Sequence, residues 1–304
     1  VNLFTPLYIS AESTNHCRYC GFNAENKQKR THLTVDEAYA EALAIYKDGL
    51  QDILILTGEA PGISTPQYIA DVVRRIKPLF ASIGIEVYSL TEDEYVMMAE
   101  AGVNYMTMFQ ETYNPVLYKY LHPAGPKSNY EYRLDAPERA GRAGMRSLSL
   151  GALLGLDRLY DDGYATGLHA WWLQRRFPGT DIGLCIPRIC SHEGSFDIPY
   201  PLDDRSFVQY LTALRIFLPR DCLTCSSRES ADMRNHIVQI CVNRVSAGVS
   251  TAVGGRVKFS HTPPQFDITD KRGVEEMERD LISLGYQPVI KDWEDPTLSS
   301  TVRV

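Results

Sequence analysis

At 304 residues, 44% of them hydrophobic and 23% charged, the chain is long enough to bury a sizeable core in one large or two ordinary domains. A formal charge of -7 leaves no basic footprint for nucleic acid or an anionic membrane, and no apolar run nears the roughly 18 residues of a membrane span. Seven cysteines, an odd count without a secretory leader, argue against a disulfide scaffold and for a reducing, cytoplasmic setting.

The start, Val1-Asn2-Leu3-Phe4, runs straight into an apolar strand without an initiator Met, so a further N-terminal segment is expected before it. Apolar runs of strand length then recur at 6–10, 52–57, 85–90, 105–109, 146–152, 182–186, 222–226 and 244–247. Between them lie helical patterns. Thr34-Val35-Asp36-Glu37 and Thr91-Glu92-Asp93-Glu94 read as capping boxes, opening helices that end near Gly49 and Gly102. Further helices fit 66–80, 136–143, 163–176, 204–218 and 230–239. Strands alternating with crossovers predict a parallel sheet, and eight of them predict a closed (β/α)8 TIM-type barrel over about 5–255. A helix over 274–285 and a strand over 287–290 form a small extension within 256–304. No internal repeat or low-complexity linker interrupts the pattern, so one domain is expected.

In such a barrel, ligands sit beyond the C-terminal ends of the strands. Polar groups and glycines concentrate there: Gly58-Glu59, Gln110-Glu111, Gly155, Pro187-Arg188, Ser227-Arg228-Glu229 and the stretch from Ser246 to Gly255. The loop after the first strand carries Cys17-Arg18-Tyr19-Cys20. A thioredoxin-like pair belongs at a helix start in a much smaller fold, and zinc needs two more ligands, which His16 and His32 do not supply at the usual spacing. The bland readings stay open beside the chemical ones. Glu59 and Arg133 serve equally as solvated charges, Gly151 and Gly155 as strand–helix packing, and Arg228 or Glu229 as a rim charge.

A chain-wide resemblance adds to this. The loop Asn15-x-Cys17-x-Tyr19-Cys20-Gly21-Phe22, together with Leu56-Thr57-Gly58-Glu59, Phe109-Gln110-Glu111-Thr112-Tyr113 and the stretches 121–127, 132–139, 151–156, 227–230 and 245–248, resembles the aromatic amino-acid lyases of the radical S-adenosylmethionine (SAM) class, 2-iminoacetate synthases among them. It extends through Gly254-Gly255 to Lys291-Asp292-Trp293, nearly the whole chain. The resemblance implies a 4Fe-4S cluster held by Cys17 and Cys20, with Ser13 standing where a third cysteine is expected. It implies that Tyr19 lies near the adenine of SAM and that Thr57, Gly58 and Glu59 meet its amino group. Arg133 would take its carboxylate, and Gly151 and Gly155 would admit its adenine. Arg228 and Ser246 would hold the carboxylate of the substrate, L-tyrosine, with Gln110 and Glu111 as polar groups in the pocket. The implied products are 2-iminoacetate and p-cresol, for thiamine biosynthesis, and the implied partners are a flavodoxin-type reductant and thiazole synthase. Hydrogenase-maturation and tryptophan-cleaving relatives are the neighbouring alternatives. Ser13 raises a third: a non-catalytic relative, since a hydroxyl is a harder and far less acidic ligand than a thiolate.

Overall fold

The computed structural model describes residues 1–190, 196–258 and 263–291. Eight parallel strands close into a barrel in sequence order: β1 (Asn2–Ser10), β2 (Asp52–Thr57), β3 (Ser82–Glu86), β4 (Tyr105–Glu111), β5 (Ser147–Ala152), β6 (Asp181–Cys185), β7 (Cys222–Cys225) and β8 (Arg244–Ser246). The seam is made by β1 and β8, where Asn2, Leu3 and Phe4 pair with Arg244, Val245 and Ser246. A closed barrel leaves no exposed sheet edge, and its strands, covered by helices outside, are buried almost throughout.

The helices form where their local signals lie. α1 (Val35–Lys47) and α3 (Glu92–Ala101) start at the two capping boxes, with Thr34 and Thr91 each accepting from the amide three residues on. α3 stops at Gly102, whose φ of 117° only glycine adopts without strain. α2 (Pro66–Ile76) is shorter than the expected 66–80, because Pro78 breaks the helix into a 3-10 turn. α4 (Pro115–Leu121) and α5 (Tyr130–Leu134) were not expected; both are capped by asparagines, Asn114 and Asn129. α6 (Ala136–Arg142), α7 (Leu159–Arg176), α8 (Asp204–Phe217) and α9 (Ala231–Ile240) follow, α7 beginning four residues before its expected start.

Two expectations shift. The third strand lies at Ser82–Glu86 rather than 85–90, paired from Asp52↔Ser82 to Leu56↔Glu86. Val87, Tyr88 and Leu90 are buried but belong to the loop entering α3, and a buried loop and a buried strand share the same apolar signature. At the C-terminal side, α10 (Val274–Ser283) forms, but the strand expected over 287–290 reduces to a single bridge, Asn2↔Val289. Pairing between β1 and β2 starts only at Thr5, so the edge of Asn2–Phe4 on that side is open, and Val289 docks there through Leu3 N–H and the Val1 carbonyl. Asp292 and Trp293 of the resembling segment lie outside the described residues.

The barrel floor is a buried polar knot. Tyr105 donates to Asp52 Oδ1 at 2.8 Å, and Arg244 bonds Asp52 Oδ2 at 2.8 Å and the Tyr105 oxygen at 2.6 Å. Gly84 makes room for it, since a Cβ there would lie 2.1 Å from the Tyr105 ring. Everything above this knot, toward the strand C-termini, is available for a site.

Candidate active site at the strand C-termini

The loop after β1 is held from several sides. Arg30 donates to the carbonyls of Ala11, Phe22 and Asn23, closing the loop's base. Asn15 bridges outward: its amide donates to Glu59 Oε2 at 2.9 Å and its oxygen accepts from Lys127 N–H at 2.9 Å. Gly125 allows this docking, because a Cβ there would meet Asn15 Cα at 2.6 Å. Tyr19 points inward and contacts His122 Nε2 at 2.8 Å, while His122 Nδ1 faces the Tyr118 carbonyl at 2.9 Å. Burial, aided by Lys127 and Arg133, depresses His122 to about 2, so it is neutral. Only a donor suits the carbonyl, so Nδ1 carries the proton and Nε2 accepts from Tyr19.

Ser13, Cys17 and Cys20 line one small chamber of about 90 Å³. Burial pushes both thiols up, so they are protonated unless a metal displaces the proton. His16 pairs with Glu25 and His32 stacks on Tyr68, so neither joins the cysteines. Among the described residues no three His, Cys, Asp or Glu side chains gather into a metal-binding group. The donor set is therefore two thiols and the Ser13 hydroxyl. A cluster held by three thiolates does not fit it; one soft anionic ligand is missing.

The rest of this chamber is a quartet of buried charges. Arg133 donates to Glu59 Oε1 at 2.9 Å and to the Phe109 carbonyl at 2.7 Å, and lies 3.8 Å from Glu111. Lys127 contacts Glu111 and lies 4.0 Å from Glu59. Burial alone would raise the Glu59 carboxyl, but Arg133 and Lys127 outweigh it and hold it below its ordinary range. A bulge at the end of β4, with Glu111 in the left-handed region at φ 70°, aims Glu111 at this cluster. Thr57 Oγ1 is buried at the chamber wall without a partner. An orphaned hydroxyl beside a carboxylate and a guanidinium suits the amino and carboxylate groups of an amino-acid moiety such as that of SAM.

A larger cavity of about 160 Å³ adjoins the first, sharing Cys20, Glu86, Glu111 and Lys127 as walls. Arg228 lines it with its guanidinium 3.4 Å over the Phe266 ring and no ion pair among the described residues. Its neighbour Glu229 is committed to Arg188, so the two adjacent charges part company. Ser246 also lines this cavity, 2% exposed, its hydroxyl without a partner among the described residues. Tyr19 stands at the wall.

Ser13, Tyr19, Cys20, Thr57, Gly58, Glu59, Glu111, Arg133, Arg228 and Ser246 thus converge on two adjoining chambers, with Cys17 in the smaller. Three expected residues stand apart. Gln110 is 3% exposed and lines neither chamber, both ends of its amide unpartnered among the described residues, because strand alternation turns Thr107, Phe109 and Glu111 inward and Gln110 to the other face. A Cβ on Gly151 would sit 1.9 Å from the Cys185 carbonyl, and one on Gly155 would sit 2.6 Å from Ile189 Cγ2. Protein atoms already fill the space beside both glycines.

Sequence reasoning missed Asn15, Lys127 and Glu86 as site residues. Asn15 and Lys127 lay within resembling segments without a role. Glu86 was lost with the displaced third strand, since a strand drawn over 85–90 makes it the second residue, at the far end from the site, rather than the C-terminal residue that it is.

The comparisons agree with this geometry. The radical SAM superfamily profile matches residues 9–163, and that of the biotin and thiamin synthesis associated domain matches 185–287. The chain is 33% identical to the 2-iminoacetate synthase of Escherichia coli over 295 residues, covering 97% of this chain and 78% of that protein. Crystal structures of HydG, a maturase of the [FeFe]-hydrogenase, superpose with a TM-score of 0.91 at 31% identity, over the whole of this chain and 67% of that one. HydG from Carboxydothermus hydrogenoformans gives 0.89 at 32%, over 95% and 68%. With the closed barrel, the cysteine loop at its mouth and a relative 33% identical across 97% of this chain, the chain belongs to the radical SAM superfamily, among the relatives of 2-iminoacetate synthase.

Proposed function

We propose that the chain is a tyrosine-binding lyase scaffold of the 2-iminoacetate synthase kind, in which Ser13 limits the radical step. The observation that carries this reading is the pairing of Arg228 and the orphaned Ser246 hydroxyl in one cavity that shares walls with the cysteine chamber. Two donors suit a carboxylate, and the phenol side chain of L-tyrosine would extend into the aromatic wall that includes Phe109 and Tyr19. In the smaller chamber Glu59 and Thr57 would receive the amino group of SAM and Arg133 its carboxylate, with Tyr19 at the adenine. Buried walls exclude water from both.

Cys17 and Cys20 would hold a 4Fe-4S cluster and Glu59, Thr57 and Arg133 would hold SAM, a pair that would supply hydrogen-abstracting radical chemistry toward tyrosine. The residues present are one thiolate short of that centre, so the radical step is not assigned to this chain as it stands. A low-potential flavodoxin-type reductant and thiazole synthase are the partners such a lyase would use. The likeness to HydG supports a second reading, a hydrogenase-maturation lyase starting from the same amino acid.

The test is anaerobic reconstitution of the unaltered chain and of Ser13→Cys. Iron content is expected to rise toward about four per chain in the variant, the count of this cluster type. 5′-Deoxyadenosine and p-cresol should appear with it. A full cluster and equal p-cresol output in both proteins would show that serine suffices and that Ser13 limits nothing.

A further inference from the structure

Glu86 ends β3 at the barrel mouth and lines both chambers. It is the one carboxylate there that makes no hydrogen bond or ion pair with the described residues; Glu59 and Glu111 are both taken by Arg133 and Lys127. Arg228 is the corresponding cation without a carboxylate partner among the described residues: it lines the same cavity and acts electrostatically on Glu86, yet forms no ion pair with it. Two opposite charges that share a buried cavity and stay apart leave a gap with one acidic and one basic side. An α-amino acid carries the complementary pair, an ammonium and a carboxylate on one carbon.

We propose that Glu86 is the ammonium receptor of the substrate subsite, facing Arg228 and Ser246 so that the zwitterionic head of an amino acid bridges the gap. This rests on the reading of Arg228 and Ser246 as the carboxylate clamp and adds the other half of the subsite. Selection follows from it. Aromatic acids without an amine leave Glu86 desolvated with no counter-ion, and aromatic amines without a carboxylate do the same to Arg228; an amino acid satisfies both.

The electrostatics of the unliganded cavity agree. Burial, then the charge of Glu111, push Glu86 up to about 7, while Arg228, Lys127 and Arg133 pull the other way. Tyr8 from β1 and Cys185 from β6 also sense its charge, and both are held in their neutral forms by burial. An arriving ammonium favours the ionised carboxylate, so substrate affinity is expected to rise with pH through the Glu86 titration.

The experiment is calorimetry on the full chain and Glu86→Gln, with L-tyrosine, tyramine and 3-(4-hydroxyphenyl)propionate as ligands. The substitution should weaken L-tyrosine and tyramine at least tenfold, leave the propionate within twofold, and flatten the pH dependence of tyrosine binding between pH 6 and 8. Glu86→Asp should keep part of the affinity. Equal tyrosine affinity in both proteins, or an equal loss for all three ligands, would overturn the ammonium subsite. If the unaltered chain ignores L-tyrosine, the tyrosine reading falls by itself. The subsite is then judged on L-tryptophan and L-phenylalanine in the same two proteins, and binding of none of these amino acids would overturn it as well.

Discussion

The barrel holds two buried sets of charges, one at the floor and one at the mouth, and they are finished to different degrees. At the floor, both Asp52 oxygens are bonded, the Tyr105 hydroxyl donates to one of them and accepts from Arg244, and Arg244 is further stacked on Phe4 and Tyr105. At the mouth, the quartet of Glu59, Glu111, Lys127 and Arg133 is paired, but among the described residues Glu86 and Arg228 have no ion-pair partner and Thr57 and Ser246 keep orphaned hydroxyls. Low dielectric makes a satisfied network rigid and an unsatisfied one costly. A chain that spends stability on open polar groups at only one end of its barrel marks that end as the place where something binds.

Four substitutions sharpen the contrast or break it. The largest effect belongs to the floor: Arg244→Ala leaves Asp52 buried without its cation and should cost about 3–5 kcal/mol of stability, as removal of one partner from a buried pair does. Thermal and urea unfolding measure it, and a loss below 1 kcal/mol would mean that the floor is no more structural than the mouth. Arg228→Ala should leave the melting temperature nearly unchanged and weaken tyrosine by about 2 kcal/mol or more, as for a charged hydrogen bond. Calorimetry giving equal affinities would take Arg228 out of the clamp.

Glu86 supplies a pH-dependent test. Between the ordinary glutamate value of about 4.3 and about 7, the unfolded chain ionises this group while the folded chain keeps it protonated. Stability is therefore whole below that window, falls as pH rises through it, and levels off above. Glu86→Gln should melt with the parent at pH 4 and be more stable at pH 8, by an amount on the order of 1 kcal/mol. Coincident melting curves at both pH values would show that the carboxyl carries no desolvation cost. The smallest effect is expected of Ser246→Ala, which removes an unbonded hydroxyl; folding stability should hold or rise slightly, with tyrosine affinity down by about 1 kcal/mol.

Much of the fold was legible because its signals are local. Capping boxes at Thr34 and Thr91, glycine at 102 and alternating apolar runs name the elements without tertiary information. What failed was decided by pairing partners far along the chain. Val87-Tyr88-Ser89-Leu90 reads as strand, yet β2 fixes the register of β3 three residues earlier, and that slip hid Glu86. The positive φ of Glu111 at the end of β4 has no sequence signature, whereas the exclusion of Gln110 follows from strand alternation once the inward face of β4 is known. The cysteine loop, Glu59, Arg133 and Arg228 were legible through resemblance, whereas the crowding beside Gly151 and Gly155 needs coordinates.

The seam between β1 and β8 has a kinetic consequence. Residues 2–4 meet residues 244–246, so the ring can shut only after nearly the whole described chain is in place. Glu59, Glu111, Lys127 and Arg133 all come from the first half of the sequence, whereas Arg228 follows β7 and Ser246 ends β8. Closing so distant a contact carries the entropic cost of a long loop and slows folding. The cysteine side of the mouth is thus assembled from early segments, and the side with the carboxylate clamp is completed only by the final closure. In stopped-flow refolding, quenching of a fluorophore pair placed across β1 and β8 should be the slowest phase, later than burial of the β2–β4 region.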